Sequence, residues 1–367
     1  MLFKIWSHLS YFLGDFWLYL VLLLIAFFFL IFFTLKVFKS ELSEGKKILL
    51  IALVFSMFCL VLIYSGFEAF FRYRYDESDG LGFLNTNVRW MGRHVVDNNY
   101  QYRDKNFDIN KGKGVIRIGV VGDSLAMGYG IKDVNDRFSN LLEKKLKNHK
   151  YNVEVYNFGV AGLDTCSEIK EFERVKNLKF DLIVWEYYLN DIQPCKGSTG
   201  AAVVVKSFNA GSPLLKFLRD ESFFFDFIYW RLSPAHDQTY TSLRMADLAQ
   251  FKNKPVYEDH LKNIASFSAE LQNETTSHRV VVVVFPFLFL LDQNYPAKKI
   301  HKTLDRYFEK NNDTVVDLLP YLMDMNKKNL MVNRFDSHPN ELVHALAAKL
   351  LYDKIVPIVA SLSANQK

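Results

Sequence analysis

The 367-residue chain is 50% hydrophobic, carries 33 phenylalanines and has a formal net charge of +5. Its Lys and Arg residues are interspersed with Asp and Glu nearly throughout, a mixed solvated surface that argues against nucleic-acid binding. Three cysteines with no CxxC and no Cys/His cluster at zinc spacing argue against a disulfide scaffold and a structural metal, and no cofactor is implied.

Two uncharged apolar runs come first, Phe16 to Leu35 and Ile48 to Phe67, each long enough to cross the hydrocarbon core as a helix. The first is too long for an ordinary signal-peptide core, lacks a strong basic flank and is followed by the second, so a two-span hairpin over residues 1–67 is expected rather than a cleaved leader. Lys36, Lys39, Lys46 and Lys47 lie between the runs, whereas the outer flanks offer Lys4, Arg72 and Arg74. By the positive-inside rule the short loop is cytoplasmic and the remainder of the chain extracytoplasmic at the cell membrane.

Residues 68–114 change to Arg, Tyr, Asn and Asp with scattered glycine and read as a connector packed on the edge of the following domain. From residue 115 to the end, strand and helix patterns alternate. The strands are Ile116–Val121, Asn152–Phe158, Phe180–Tyr187, a stretch within Arg279–Leu291 containing VVVVVF, and Thr314–Leu318. Helical spacing marks Asn135–Lys147, Ser167–Leu178, Leu261–Leu271, Lys299–Lys310 and Glu341–Ile355. This alternation predicts an α/β fold, a three-layer α/β/α domain on a five-stranded parallel sheet. The pattern breaks over about 196–256, an insertion whose apolar stretch LLKFLRDESFFFDFIYWRL suggests a helix lying on the domain or on the membrane surface. Cys166 and Cys195 follow two strands closely enough to form a bridge if the domain lies outside the cytoplasm.

Ligands of an open parallel sheet bind beyond the carboxyl ends of its strands, so the residues there carry the chemistry. The first strand runs into Gly122-Asp123-Ser124, where Ser124 is a candidate nucleophile. His338 is a candidate general base, and Asp336, two residues before it, a candidate partner for its other ring nitrogen. An acyl-transfer site also needs donors for the oxyanion, and Gly162, the Asn190 amide and the backbone N–H of Ser124 are the candidates.

Four blocks together resemble the SGNH hydrolase superfamily, the GDSL-type esterases: GDSL at Gly122–Leu125, NFGVAG at Asn157–Gly162, LND at Leu189–Asp191 and DSHPN at Asp336–Asn340. The resemblance implies a flavodoxin-like sheet and maps the family's serine, glycine, asparagine and histidine onto Ser124, Gly162, Asn190 and His338. Two departures stand out. Tyr188 occupies the glycine position of the third block, and Asp336 and His338 are separated by one residue instead of two.

The expected activity is therefore a membrane-anchored, serine-dependent hydrolase or O-acyltransferase that works through an acyl-enzyme on Ser124. Its substrate would be an O-acylated carbohydrate or a lipid-linked ester, and the spans would contact the bilayer and could dock on a membrane protein. The alternative is a non-catalytic accessory protein that binds glycan or a membrane partner with the same domain.

Overall fold

Leu2–Phe38 (α1) and Glu44–Tyr73 (α2) form the two long N-terminal helices, and both are long and apolar enough to cross a membrane. Their apolar side chains, Phe28, Phe32, Ile48 and Leu60 among them, are exposed rather than packed into a core. The computed structural model describes residues 2–192 and 212–365, which fall into two compact units. The first contains α1, α2 and two later helices, Pro213–Glu221 and Phe223–Leu232.

Glu68 explains why that later segment joins the N-terminal helices. Its buried carboxylate accepts from Arg72 Nε at 2.9 Å, from Ser222 Oγ at 2.7 Å and from the backbone N–H groups of Phe223 and Phe224 at 3.0 Å each. An anion is thereby set on the first N–H groups of the Phe223–Leu232 helix, the end where negative charge is favoured. Phe71 then packs on Phe227 with ring centroids 4.0 Å apart, and Phe67 stacks on Phe224 at 4.9 Å. The apolar part of the insertion thus packs on α2, a third partner beside the two expected from sequence. The sequence boundary at residue 67 also moves, because α2 continues to Tyr73 and the first unit to Asp76.

The second unit begins at Glu77 and takes in the rest of the connector, so residues 77–114 fold with the sheet. Its strands are β1 (Ile116–Val121), β2 (Val153–Asn157), β3 (Leu182–Tyr188), β4 (Val280–Phe285) and β5 (Thr314–Asp317). All pair in parallel in the order β2-β1-β3-β4-β5, the flavodoxin-like arrangement. β1, β3 and β4 are buried at every position, which is why they read as predominantly apolar runs, broken only by Arg117 in β1 and Glu186 in β3.

The connector contributes Asn85–His94 (α3), and the sheet is followed around by Ser124–Met127 (α4), Phe138–Asn148 (α5) and Thr165–Val175 (α6). Ala235–Gln250 (α7) and Lys254–Asn273 (α8) occupy the remainder of the insertion and the expected helix after it. Lys298–Lys310 (α9) and Glu341–Asn365 (α10) complete the unit. Trp185 of β3 meets Phe267 of α8 at 4.9 Å and Phe308 of α9 at 5.4 Å on one face. On the other, Phe138 of α5 faces Phe285 of β4 at 6.0 Å and stacks on His344 of α10 at 5.8 Å. The connector aromatics Trp90, Tyr102 and Phe107 are buried, the last two in the same core. Cys59 is a free thiol, while the Cys166–Cys195 pairing depends on a residue outside those described.

Candidate active site

The serine turn is built by close approach. Asp123 caps α4 by accepting from the Leu125 N–H at 2.8 Å, and its own N–H donates to Glu186 Oε2 at 3.1 Å. A Cβ on Gly122 would stand 2.5 Å from Glu186 Oε2, and one on Gly159 would stand 2.2 Å from the backbone nitrogen of Met127. Only glycine lets the first two strand ends close around this turn. Asn157 secures it from the β2 side, its Nδ2 donating to Ala126 O at 2.7 Å and to Ser139 Oγ at 2.8 Å.

Three of the expected residues meet in one hydrogen-bonded chain. Ser124 Oγ lies 2.8 Å from His338 Nε2, and His338 Nδ1 bonds to Asp336 Oδ1. The same Asp336 oxygen accepts from the His338 backbone N–H at 3.1 Å, so the one-residue spacing brings the carboxylate to the imidazole through a tight turn. Asn333 holds that turn, its Oδ1 accepting from the N–H groups of Phe335 at 2.7 Å and Asp336 at 3.1 Å.

Burial works against a charged imidazole, but the Asp336 charge and hydrogen bond outweigh it, and the His338 pKa is raised. Conversely, burial alone would raise Asp336, and the facing imidazole lowers it below the ordinary aspartate range. The geometry suits a neutral imidazole accepting a proton from the serine and a carboxylate steadying the imidazolium that results.

The oxyanion candidates are less tightly joined. Asn190 lies in the turn after β3, beside the Asp123 carboxyl, where its amide favours the ionised acid. Its Oδ1 is buried without a partner. Gly162 has φ +83° and open space where a Cβ would stand. No hydrogen bond among the described residues ties Gly162 to the triad.

Several site residues lie outside the four sequence blocks. Tyr129 places its ring 4.9 Å from that of His338 and is anchored by a 2.9 Å bond from its hydroxyl to Asn87. Helix α7 supplies Tyr240, and His236 of the same helix bonds to Asp79 at 2.7 Å. A Cβ on Gly80 would fall 3.4 Å from Tyr240, 3.5 Å from Asp336 Oδ1 and 3.7 Å from His338 Cε1, so these groups share one wall. The spacing of His236, Tyr240 and Arg244 at i, i+4 and i+8 is the sequence signal that would have placed them on one helical face.

Beneath the serine turn, Asp123, Glu168, Glu186 and Asp191 are all buried. Burial raises each, and neighbouring acids add to the rise for Glu168, Glu186 and Asp191. Trp185 Nε1 donates to Glu168 Oε2 at 2.9 Å, while Glu168 Oε1 has no hydrogen-bond partner. No group of three or more metal-ligating side chains with suitable geometry occurs among the described residues.

Neither protein-family models nor curated protein sequences give a match to this chain. Solved structures do. TesA is 16% identical, with 66% of this chain and 99% of TesA covered at a TM-score of 0.41. The lipase/acylhydrolase from Enterococcus faecalis is 17% identical, with 65% and 95% covered and a TM-score of 0.41. AlinE4, an SGNH-hydrolase family esterase, is 19% identical, with 69% and 98% covered and a TM-score of 0.35.

Proposed function

We propose that the chain is a membrane-anchored serine hydrolase of the SGNH type, acting on acyl esters through a covalent intermediate on Ser124. The observation that carries this reading is the unbroken chain from Ser124 Oγ through His338 to Asp336. A binding module has no need of nucleophile, base and orienting carboxylate in hydrogen-bonding order.

In the proposed reaction Ser124 Oγ attacks the ester carbonyl while His338 Nε2 takes its proton, with Asp336 holding the imidazole by its other nitrogen. The Asn190 amide, the Gly162 N–H and the Ser124 N–H donate to the oxyanion, whose collapse expels the alcohol with the proton returned by His338. Water then releases the acid, or a second hydroxyl receives the acyl group, through the same acyl-enzyme. The substrate is an O-acyl group on a glycan or lipid-linked molecule. Exposed apolar side chains on α1 and α2 support anchoring in the bilayer, and the lysines of the intervening loop support an extracytoplasmic active site.

The test uses the full-length detergent-solubilised chain with a fluorophosphonate probe and 4-nitrophenyl esters of short and long acids. Wild type is expected to label and turn over, and Ser124→Ala to do neither. Equal labelling of the two proteins, or none of either with both folded, would overturn the hydrolase reading in favour of a non-catalytic glycan- or membrane-partner-binding role.

A further inference from the structure

Arg244 of α7 is held beside the triad in a box of three aromatic rings. Its Cζ lies 5.8 Å from the ring centre of Tyr188, 5.3 Å from that of Tyr240 and 5.0 Å from that of Phe287. Tyr188 and Phe287 meet edge to face at 4.9 Å and fix one side of the box. The Arg244 side chain is only 11% exposed, and its one ion pair among the described residues is to Asp247 on its own helix, Nε to Oδ2 at 3.4 Å. That pair makes no hydrogen bond, for Nε is without an acceptor, and no hydrogen bond among the described residues engages either Nη.

A guanidinium offers five donors in a planar fork; here Nε is buried without an acceptor, while the Nη edge keeps the side chain's exposure and is open to a ligand. Aromatic faces stabilise the cation but accept none of those N–H groups in the plane of the fork. The box therefore presents an oriented cation, its Nη edge outward, next to Tyr240, which itself shares a wall with Asp336 and His338. Tyr188 acquires a reason here. The phenol that replaces the glycine of the third block is one wall of the box.

A second feature carries the same sign. Tyr240 packs on Phe289, their rings 5.0 Å apart, and Phe289 lines a cleft of about 580 Å³ together with Lys327, Lys328 and Arg334, the last paired at 3.9 Å with Asp237, the cleft's sole acid among the described residues. Its floor belongs to the triad loop, because the Val332 N–H donates to the His338 carbonyl at 3.0 Å. The cleft is larger than a short acyl chain needs, so a bulky part of an ester can occupy it.

We propose that Arg244 is a specificity residue for esters whose alcohol part carries an oxyanion, a carboxylate or phosphate that docks on the free Nη edge while the lysine-lined cleft receives further negative charge. The inference rests on the hydrolase reading above and names the substrate class of that site. Arginine suits the role because its planar fork matches these oxyanions bidentately and stacks on aromatic rings, neither of which lysine reproduces.

The experiment compares hydrolysis of 4-acetoxybenzoate, 4-acetoxyphenyl phosphate and the neutral methyl 4-acetoxybenzoate by wild type, Arg244→Gln and Arg244→Lys. The readout is the ratio of kcat/KM for each anionic ester to that for the neutral one, which normalises for any loss of folded enzyme. Wild type is expected to favour at least one anionic ester, Arg244→Gln to lower that ratio about 10- to 100-fold through KM, and Arg244→Lys to retain part of it. Whichever anion shows the ratio identifies the group recognised. A ratio that is unchanged in Arg244→Gln, or a wild type that prefers the neutral ester, overturns the inference while leaving Ser124-dependent hydrolysis intact. A wild type that turns over none of the three and fails to label with fluorophosphonate overturns the hydrolase reading and this inference with it.

Discussion

His338 Nε2 lies 2.8 Å from Ser124 Oγ although 214 residues separate the two in the chain. The contact is useful only when the imidazole is neutral, and Asp336 raises the pH at which that happens despite burial acting in the opposite direction. The base form accumulates as pH rises through the His338 pKa, so kcat/KM should climb along a limb centred above the ordinary histidine value of about 6.5. Asp336→Asn removes the anion and is expected to move that limb to lower pH while reducing the plateau by up to about 10⁴-fold. A pH–rate profile of both proteins checks this. An unshifted limb in Asp336→Asn would remove Asp336 from its assigned position behind the imidazole.

Asn190 separates rate from binding. If its amide donates to the developing oxyanion, Asn190→Ala should lower kcat by about 10²-fold or more with KM little altered, because the bond is made in the transition state rather than with bound ester. Steady-state kinetics on a 4-nitrophenyl ester gives both numbers. A change confined to KM would assign Asn190 to ground-state binding.

The parts of this site that are legible in sequence are those set by local chemistry. Gly122-Asp123-Ser124, Asn157, Asn190 and the Asp336–Asn340 turn each occupy a strand end or the final turn, where residue type is dictated by capping and close backbone approach. The sheet was equally legible, since strands buried on both faces are mostly apolar, with Arg117 and Glu186 the exceptions in β1 and β3. Helix α7 was not. Its site-facing residues His236, Tyr240 and Arg244 are polar or amphipathic, and Leu243 and Leu248 are the only aliphatic side chains it buries, too few to mark a stripe. The contact of Phe224 and Phe227 with α2 was hidden for the opposite reason, since an apolar cluster records that a surface is covered without recording by what.

Gly159 and Gly162 stand three residues apart in one loop and are expected to respond differently to alanine. At Gly159 the added carbon would lie 2.2 Å from Met127 N and 2.6 Å from Ala126 C, backbone atoms of the turn that carries Ser124. Gly159→Ala should therefore destabilise the domain by about 1–3 kcal/mol and lower kcat by displacing α4. At Gly162 the space is open but φ is +83°, so Gly162→Ala meets backbone strain alone, on the order of 1 kcal/mol. Thermal melts of the two variants rank these costs. Equal destabilisation would mean that the β2 loop does not press on the serine turn.

The buried acids beneath the turn give stability an unusual pH dependence. Burial and neighbouring carboxyls raise Glu168, so the native state keeps a proton that the unfolded chain releases above its ordinary glutamate pKa near 4.3. The unfolded state then binds fewer protons, and stability falls as pH rises through the interval between that value and the raised native one. Glu168→Gln cannot ionise, and its amide oxygen can still accept from Trp185 Nε1, which occupies the other carboxyl oxygen at 2.9 Å. The variant is expected to melt above wild type at pH 8, with the difference shrinking toward pH 4, where the native glutamate is protonated and the unfolded one mostly so. Because Glu168 reaches β3 rather than the serine, the comparison reads the acid cluster without altering the nucleophile's own contacts. A melting difference that stays constant from pH 4 to pH 8 would mean that Glu168 holds no extra proton in the native state.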